Sequence, residues 1–348
     1  MKIVFFMFGL VGGGAERVTS IIASGLAERG HDVTIMCKDV PCMYPISEKI
    51  RFKHFRPARR IKLRLFHMAD MRNYIKKEKP DIAIGVLSFY SFYLRFATLG
   101  LPVKTIAWDH SSYSFDKIHG FKTYVRKYWV YPLMTKAFVL TQQDKNEAYF
   151  KNNIIVMPNP TTFESLSGEV KKEKIVIGVG NVNTWHTKGF DLLLQAWSKV
   201  IDKHKEWKLI IVGRGDSSYL DHLKEELKIQ ESVSIEPFCK DVKQLYQRAS
   251  IFVLSSRTEG FPMALLEAMS QKCACLACDN KGRTKEITNG DGLLLFETGC
   301  VDQMSEKIDE LMSNEQLRKE LGESAAIQSA KYSKDRILDK WEEILKSL

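Results

Sequence analysis

The sequence predicts an α/β fold: two consecutive doubly wound, Rossmann-like domains, each built on a mostly parallel sheet and facing a common cleft. Three observations predict it. Strand-like and helix-like segments alternate along the chain, which implies parallel sheets covered by helices on both faces. The alternation breaks once, near Met157-Pro158-Asn159-Pro160, and then restarts. The 348 residues exceed what one compact domain of this class needs and suit two.

In the first half the strand candidates are Lys2–Phe8, Val33–Lys38, Arg51–Phe55, Ile82–Leu87, Val103–Trp108 and Ala137–Thr141. The helix after the first of them carries Val18, Ile21, Ile22, Gly25 and Leu26 on one face and stops at Gly30. A polar stretch with Gly168 and Lys171-Lys172 follows the break and reads as a linker. Further strands are expected at Lys174–Val179, Trp207–Val212, Val233–Glu236, Ile251–Leu254, Cys273–Cys278 and Leu293–Phe296. The expected domains are residues 1–160 and 166–332. A closing helix is expected over 333–348, with Ile337, Trp341, Ile344 and Leu345 in register. Ligands of such sheets sit beyond the carboxyl ends of the strands.

Composition narrows the function classes. With 45% hydrophobic and 27% charged residues, both halves can bury a core. No apolar run reaches the roughly 18 residues that span a bilayer. The apolar start, Lys2 to Gly9, lacks a small-residue cleavage site and reads as a buried strand rather than a signal peptide. Seven scattered cysteines, at 37, 42, 239, 273, 275, 278 and 300, suit a reducing, cytoplasmic setting. Strand spacing puts Cys273 and Cys275 on one face and Cys278 on the other, so small buried residues are expected there rather than a metal site.

Charge is uneven. Residues 1–165 hold 25 Lys and Arg against 13 Asp and Glu, and the remainder of the chain holds 27 against 29. Twelve of the basic residues fall in Lys49–Lys79, opposed only by Asp70 and Glu78. From Ala58 onward this segment reads as a basic amphipathic helix suited to the anionic inner face of a membrane, or to the diphosphate of a lipid-linked acceptor. A solvated basic face is the competing reading. No nucleic-acid-binding module accompanies the charge, so nucleic acid is not an expected partner.

Two motifs carry chemistry. Gly12-Gly13-Gly14-Ala15-Glu16-Arg17 lies between the first strand and its helix, where glycines permit close approach and free N–H groups favour an anion. A tight turn alone also explains it. The second motif runs from Ser255 through Glu259-Gly260-Phe261-Pro262-Met263 to Glu267, after a strand and into a helix. Pro262 fits the first helical turn, and the amides of Phe261 to Ala264 are expected to point at an anion such as a diphosphate. The two carboxylates can each accept a pair of hydroxyls, one from a ribose and one from a hexose.

At these residues the chain resembles the retaining glycosyltransferases of family 4, whose architecture is called GT-B. Their E-x7-E signature is matched by Glu259 and Glu267, with Glu-Gly-Phe-Pro and Leu-Glu-Ala-Met intact. The resemblance runs over nearly the whole chain. The glycine loop at 12–17, Pro158-Asn159-Pro160, the segment from Val179-Gly180 to Lys188-Gly189, and Asp291-Gly292-Leu293-Leu294 all match family features.

The resemblance implies a transferase that moves a hexose or N-acetylhexosamine from a nucleotide sugar, of the UDP class, to a lipid-linked or polysaccharide acceptor. Lipopolysaccharide and capsule are the expected products, and no cofactor is expected. Glu267 is implied to hold the ribose and Glu259 the donor sugar, with His110 near its C6. Lys188 is implied to neutralise the diphosphate, with Phe261, Pro262 and Met263 near sugar and phosphate. Gly13 and Gly14 are implied to close the phosphate side, and the closing helix is implied to pack back on the first domain.

The chain departs from the family where Asn181 replaces the usual Arg after Gly180, and Arg214 is the candidate to compensate. Gln271-Lys272-Cys273 likewise replaces the family's small turn. No two aspartates are spaced two apart, so cationic side chains and helix dipoles are expected to replace a metal. The alternatives are a nucleotide-sugar epimerase and a non-catalytic sugar-nucleotide-binding subunit of the same architecture.

Overall fold

The computed structural model describes residues 1–38, 42–56, 63–113, 120–168, 170–238 and 242–348, without the side chains of 63–65. Cys239 and residues 58–62 of the basic segment lie outside the described residues. The chain forms two units, Met1–Pro160 with Lys334–Leu348, and Thr161–Ser333.

Seven strands build the sheet of the first unit: β1 (Lys2–Phe6), β2 (Asp32–Cys37), β3 (Arg51–His54), β4 (Ile82–Val86), β5 (Lys104–Trp108), β6 (Lys136–Val139) and β7 (Ile154–Val156). Their order is β3-β2-β1-β4-β5-β6-β7, and each pairing is parallel. The order reverses direction between β1 and β4, which opens a ligand crevice beyond their carboxyl ends. The continuous apolar runs of β1 and β4 are what a strand covered on both faces requires. One strand, β7, was not expected. It has three residues at the sheet edge and lies just before Pro158, too short to show a period.

The second unit contains β8 (Glu173–Val179), β9 (Lys208–Gly213), β10 (Val233–Pro237), β11 (Ala249–Leu254), β12 (Ala274–Cys278) and β13 (Leu293–Phe296). Their order is β10-β9-β8-β11-β12-β13, again with parallel pairings. Here the direction reverses between β8 and β11. The segment after β8 and the carboxylate motif after β11 therefore emerge side by side.

The helix Lys334–Lys346 belongs to the first unit. Trp341, fully buried, packs edge-on to Trp108 at 4.7 Å and to Phe138 at 4.9 Å between ring centroids. Ile337, Leu338 and Leu345 are buried beside it, and Ile344 is only partly covered. Gly25 makes the contact possible, because a Cβ there would stand 2.3 Å from Leu338 Cδ1. Trp341→Ala is expected to lower unfolding stability by about 3–5 kcal/mol, the usual loss for a large core aromatic. A urea titration checks this, and an unchanged midpoint would mean the helix contributes little.

The basic segment is less available than its sequence suggests. Arg51 pairs with Asp32, Arg56 with Asp70, and Arg72 donates to the carbonyls of Ala97 and Leu99. Met71 and Ile75, on the helix Leu63–Glu78, are buried in the core of the first unit. Met71 and Ile75 thus face inward while Phe66 is exposed, and residues 58–62, where the membrane-facing helix was expected to begin, lie outside the described residues. Among the described residues no helix is long and apolar enough to cross a membrane.

Candidate active site

The loops after β8 and β11 are stitched together by backbone and side chain. Gly189 takes a left-handed conformation, φ 65°, and a Cβ on it would sit 2.0 Å from the Ser255 carbonyl oxygen. Ser255 Oγ donates to the Lys188 carbonyl at 2.9 Å, and the Arg257 amide donates to the Thr187 carbonyl at 2.8 Å. Arg257 also grips both carboxylate oxygens of Asp191, each at 2.7 Å, a bidentate arrangement stronger than a single hydrogen bond.

This framework brings two expected residues into contact. Lys188 Nζ lies 2.7 Å from Glu259 Oε1, and the same oxygen accepts from Ser256 Oγ at 2.7 Å. Glu259 is turned inward, its side chain 11% exposed. The cation expected on a diphosphate thus pairs with the carboxylate expected on a sugar.

The helix Met263–Ser270 begins next to them. No side chain caps it, and the Leu265 amide turns back to the Pro262 carbonyl at 3.1 Å. Among the described residues the amides of Met263 and Ala264 have no hydrogen-bond partner. Pro262 stands just outside the helix, at its N-cap, one position earlier than the sequence suggested. Phe261 is buried, its ring 5.7 Å from that of Tyr332. One turn on, buried Glu267 accepts from Thr162 Oγ1 at 2.6 Å and from Tyr246 OH at 3.2 Å. These hydroxyls orient the Glu267 carboxylate.

Two expected donor residues are engaged locally. Asn181 uses its side-chain oxygen to accept from the Asn183 amide at 3.0 Å, capping the turn Val182–Thr184. Arg214 is exposed, with its guanidinium 5.5 Å from the centre of the Phe238 ring.

In the first unit the glycine loop corrects an expectation. The amides of Gly12 and Gly13 are not free for an external anion: both donate to Glu16 Oε2, at 2.6 and 3.0 Å. The carboxylate one turn inside the helix Gly14–Glu28 is simply the nearest acceptor, as in a capping box. Gly14 keeps open space, with nothing within 4 Å of an added Cβ.

His110 follows β5, against Trp108 at 4.6 Å between ring centroids. Its neighbours are pinned by a buried cation. Lys127 Nζ is 2.5 Å from Asp109 Oδ2 and bonds Ser111 through both its carbonyl and its hydroxyl. Both His110 ring nitrogens are buried, and among the described residues neither has a hydrogen-bond partner. Burial lowers the imidazole pKa from 6.5 to about 4, only partly opposed by the Asp109 charge. The folded ring is therefore neutral near pH 7.

Because the folded pKa is depressed, the related stability is complete above pH 6.5 and is lost as pH falls towards about 4. His110→Asn is expected to remove this loss, at most about 3 kcal/mol at 1.36 kcal/mol per pKa unit. Urea midpoints across this pH range check it, and an unchanged acid slope would refute it.

The cysteines of β12 are inert. Cys273 donates to the Tyr246 carbonyl at 3.1 Å and Cys278 to the Ser256 carbonyl at 2.9 Å. Burial pushes the Cys273 thiol up to about 11 and raises Cys278 as well. What the sequence did not single out are Ser256, Thr162, Tyr246 and the Arg257–Asp191 clamp. Thr162 lies 105 residues before Glu267, so no spacing could announce it.

The chain is similar to known proteins along nearly its whole length. Residues 12–149 match the family model described as Glycosyltransferase Family 4, and residues 161–328 the one described as Glycosyl transferases group 1. The amylovoran biosynthesis glycosyltransferase AmsD of Erwinia amylovora is 31% identical, over 96% of each chain. From Campylobacter jejuni, the GalNAc-alpha-(1->4)-GalNAc-alpha-(1->3)-diNAcBac-PP-undecaprenol alpha-1,4-N-acetyl-D-galactosaminyltransferase is 26% identical, over 98% of this chain and 97% of its own. Among solved structures, Anabaena HepE in complex with UDP superposes with a TM-score of 0.81 at 17% identity, over the whole of both chains. The chain belongs to the family 4 glycosyltransferases, of GT-B architecture, and its relatives include enzymes of bacterial glycan synthesis.

Proposed function

We propose that this glycosyltransferase moves a hexose or N-acetylhexosamine from a UDP sugar, with retention and without a metal, to a lipid-linked or polysaccharide acceptor at the cytoplasmic face of the membrane. The observation that carries the reading is the Lys188–Glu259 pair beside the uncapped start of the helix Met263–Ser270. A donor diphosphate takes the Met263 and Ala264 amides and draws Lys188 away from Glu259. Glu259, released, accepts hydroxyls of the donor sugar, and Glu267 accepts the ribose diol.

As the bond from the anomeric carbon to the phosphate oxygen breaks, negative charge grows on the diphosphate. Lys188 and the helix start stabilise that charge where it develops. The acceptor hydroxyl bonds to the anomeric carbon and passes its proton to the departing phosphate oxygen on the same face. His110, held neutral, offers a hydrogen bond to the donor sugar but no charge. Two relatives support this choice of substrates: HepE is seen with UDP, and the Campylobacter enzyme's name specifies an undecaprenol-diphosphate glycan and an alpha linkage.

The test is a panel of nucleotide sugars with undecaprenyl-diphosphate-linked acceptors, in the presence of a chelator. Labelled lipid with a retained anomeric configuration is the expected product. An isomerised nucleotide sugar, donor bound but unchanged, an inverted linkage, or activity only after metal is restored would each overturn the part concerned. UDP alone is expected to raise the melting temperature by mass action.

A further inference from the structure

The helix Phe121–Val130 turns Tyr124 and Val130 to the core yet also presents large aromatic side chains to solvent. A helix on the surface of a soluble domain turns its apolar stripe inward and its charges outward. Here the buried positions are Lys127 and Val130, whereas Phe121, Tyr128 and Trp129 lie on the exposed side. Phe121 is 70% exposed and Trp129 69%. The exposed surface continues beyond the helix. Tyr128 packs against Tyr149 at 4.9 Å and Phe150 at 5.9 Å between ring centroids, and Tyr149 is itself 69% exposed. Isolated exposed apolar residues are ordinary, but a cluster of aromatics this dense marks a binding surface.

The surrounding charge identifies the partner. Lys122 and Arg126 lie on the helix, and Lys145 and Lys151 bracket the Tyr149–Phe150 pair. Among the described residues from 120 to 151 the acids are Asp144, buried, and Glu147, which accepts from Gln143 at 3.0 Å. Aromatic rings with a polar edge, set among cations that outnumber the acids of the described segment, suit the headgroup layer of an anionic bilayer. A protein partner of matching shape would leave no reason for so one-sided a charge.

We infer that the exposed face of Phe121–Val130, extended by Tyr149 and Phe150, is a docking surface for an anionic lipid bilayer. It is separate from Lys49–Lys79, several of whose cations are already engaged within the fold. The rings enter the interface and the flanking cations contact lipid phosphates. The first unit is thereby held where lipid-linked substrates reside.

The full chain is expected to sediment with phosphatidylglycerol-containing vesicles and to bind pure phosphatidylcholine vesicles far more weakly. The triple variant Phe121→Ser, Trp129→Ser, Tyr149→Ser should lower partitioning by about tenfold or more, with unchanged circular dichroism and melting. Trp129 also gives a direct reading, because Trp108, Trp197, Trp207 and Trp341 are fully buried and Trp185 stacks on Tyr219. Lipids brominated in the acyl chain should quench the wild-type emission, and much less that of Trp129→Phe. Undiminished vesicle binding by the triple variant would overturn the inference. So would wild-type protein that ignores anionic vesicles but self-associates in a manner the triple variant abolishes. These measurements read lipid binding and not sugar transfer, so the docking surface and the transferase reading can fail separately.

Discussion

Lys188→Ala is expected to lower kcat by about 100- to 1000-fold, the range found when one preorganised donor to a developing anion is removed. The ammonium sits 2.7 Å from Glu259, one residue before the left-handed Gly189. The Ser255 and Arg257 hydrogen bonds fix the backbone that carries it, so the cation is already within the site when the phosphate departs. Removing it leaves the leaving group with helix amides alone, and it leaves Glu259 with Ser256 as its hydrogen-bond partner among the described residues. The pair is partly exposed, so fold stability should change little. Glu259→Gln separates the two roles: it spares Lys188 for the diphosphate but weakens recognition of the donor sugar, and should raise KM more than Lys188→Ala does. The check is steady-state kinetics with labelled donor. Near-wild-type kcat in Lys188→Ala would remove the central element of the proposed site.

The second large effect is expected in the first unit. Lys127→Met should reduce its stability by about 3–5 kcal/mol, because Asp109 would then be a buried carboxylate without its cation. Both partners are almost wholly inaccessible to water, so solvent cannot substitute for the lost charge. Lys127 also bonds Ser111 twice, so the variant frees the segment on either side of His110. The double variant Lys127→Met with Asp109→Asn should recover much of the stability, since it removes the stranded charge rather than only its partner. Urea unfolding of the two variants measures this, and equal stability in both would show that the pair contributes no coupling.

The architecture was legible because its signals are local and periodic. Apolar runs of strand length recur, and Pro158-Asn159-Pro160 interrupts them where the chain leaves the first unit. The carboxylate motif was legible because Glu259, Phe261, Pro262 and Glu267 are neighbours in sequence. What supports these residues was not. Thr162 and Tyr246 reach Glu267 only through the fold, and Arg257 meets Asp191 across 66 positions. The glycine loop was misread because position three of its helix, Glu16, competes successfully for the amides. The spacing of Phe121, Tyr128 and Trp129 would suit a core-facing stripe equally well. Only tertiary packing decides which side of a helix faces water.

The first unit draws its last helix from beyond the second, and this inverts the order of events during synthesis. Residues 161–333 emerge from the ribosome as a complete set before the earlier unit can finish its interior. Until Trp341 arrives, Phe5, Trp108 and Phe138 lack the ring that covers them. The amino-terminal portion must therefore wait, incompletely closed, for the translation of its final helix, and that interval is when chaperones have most to shield.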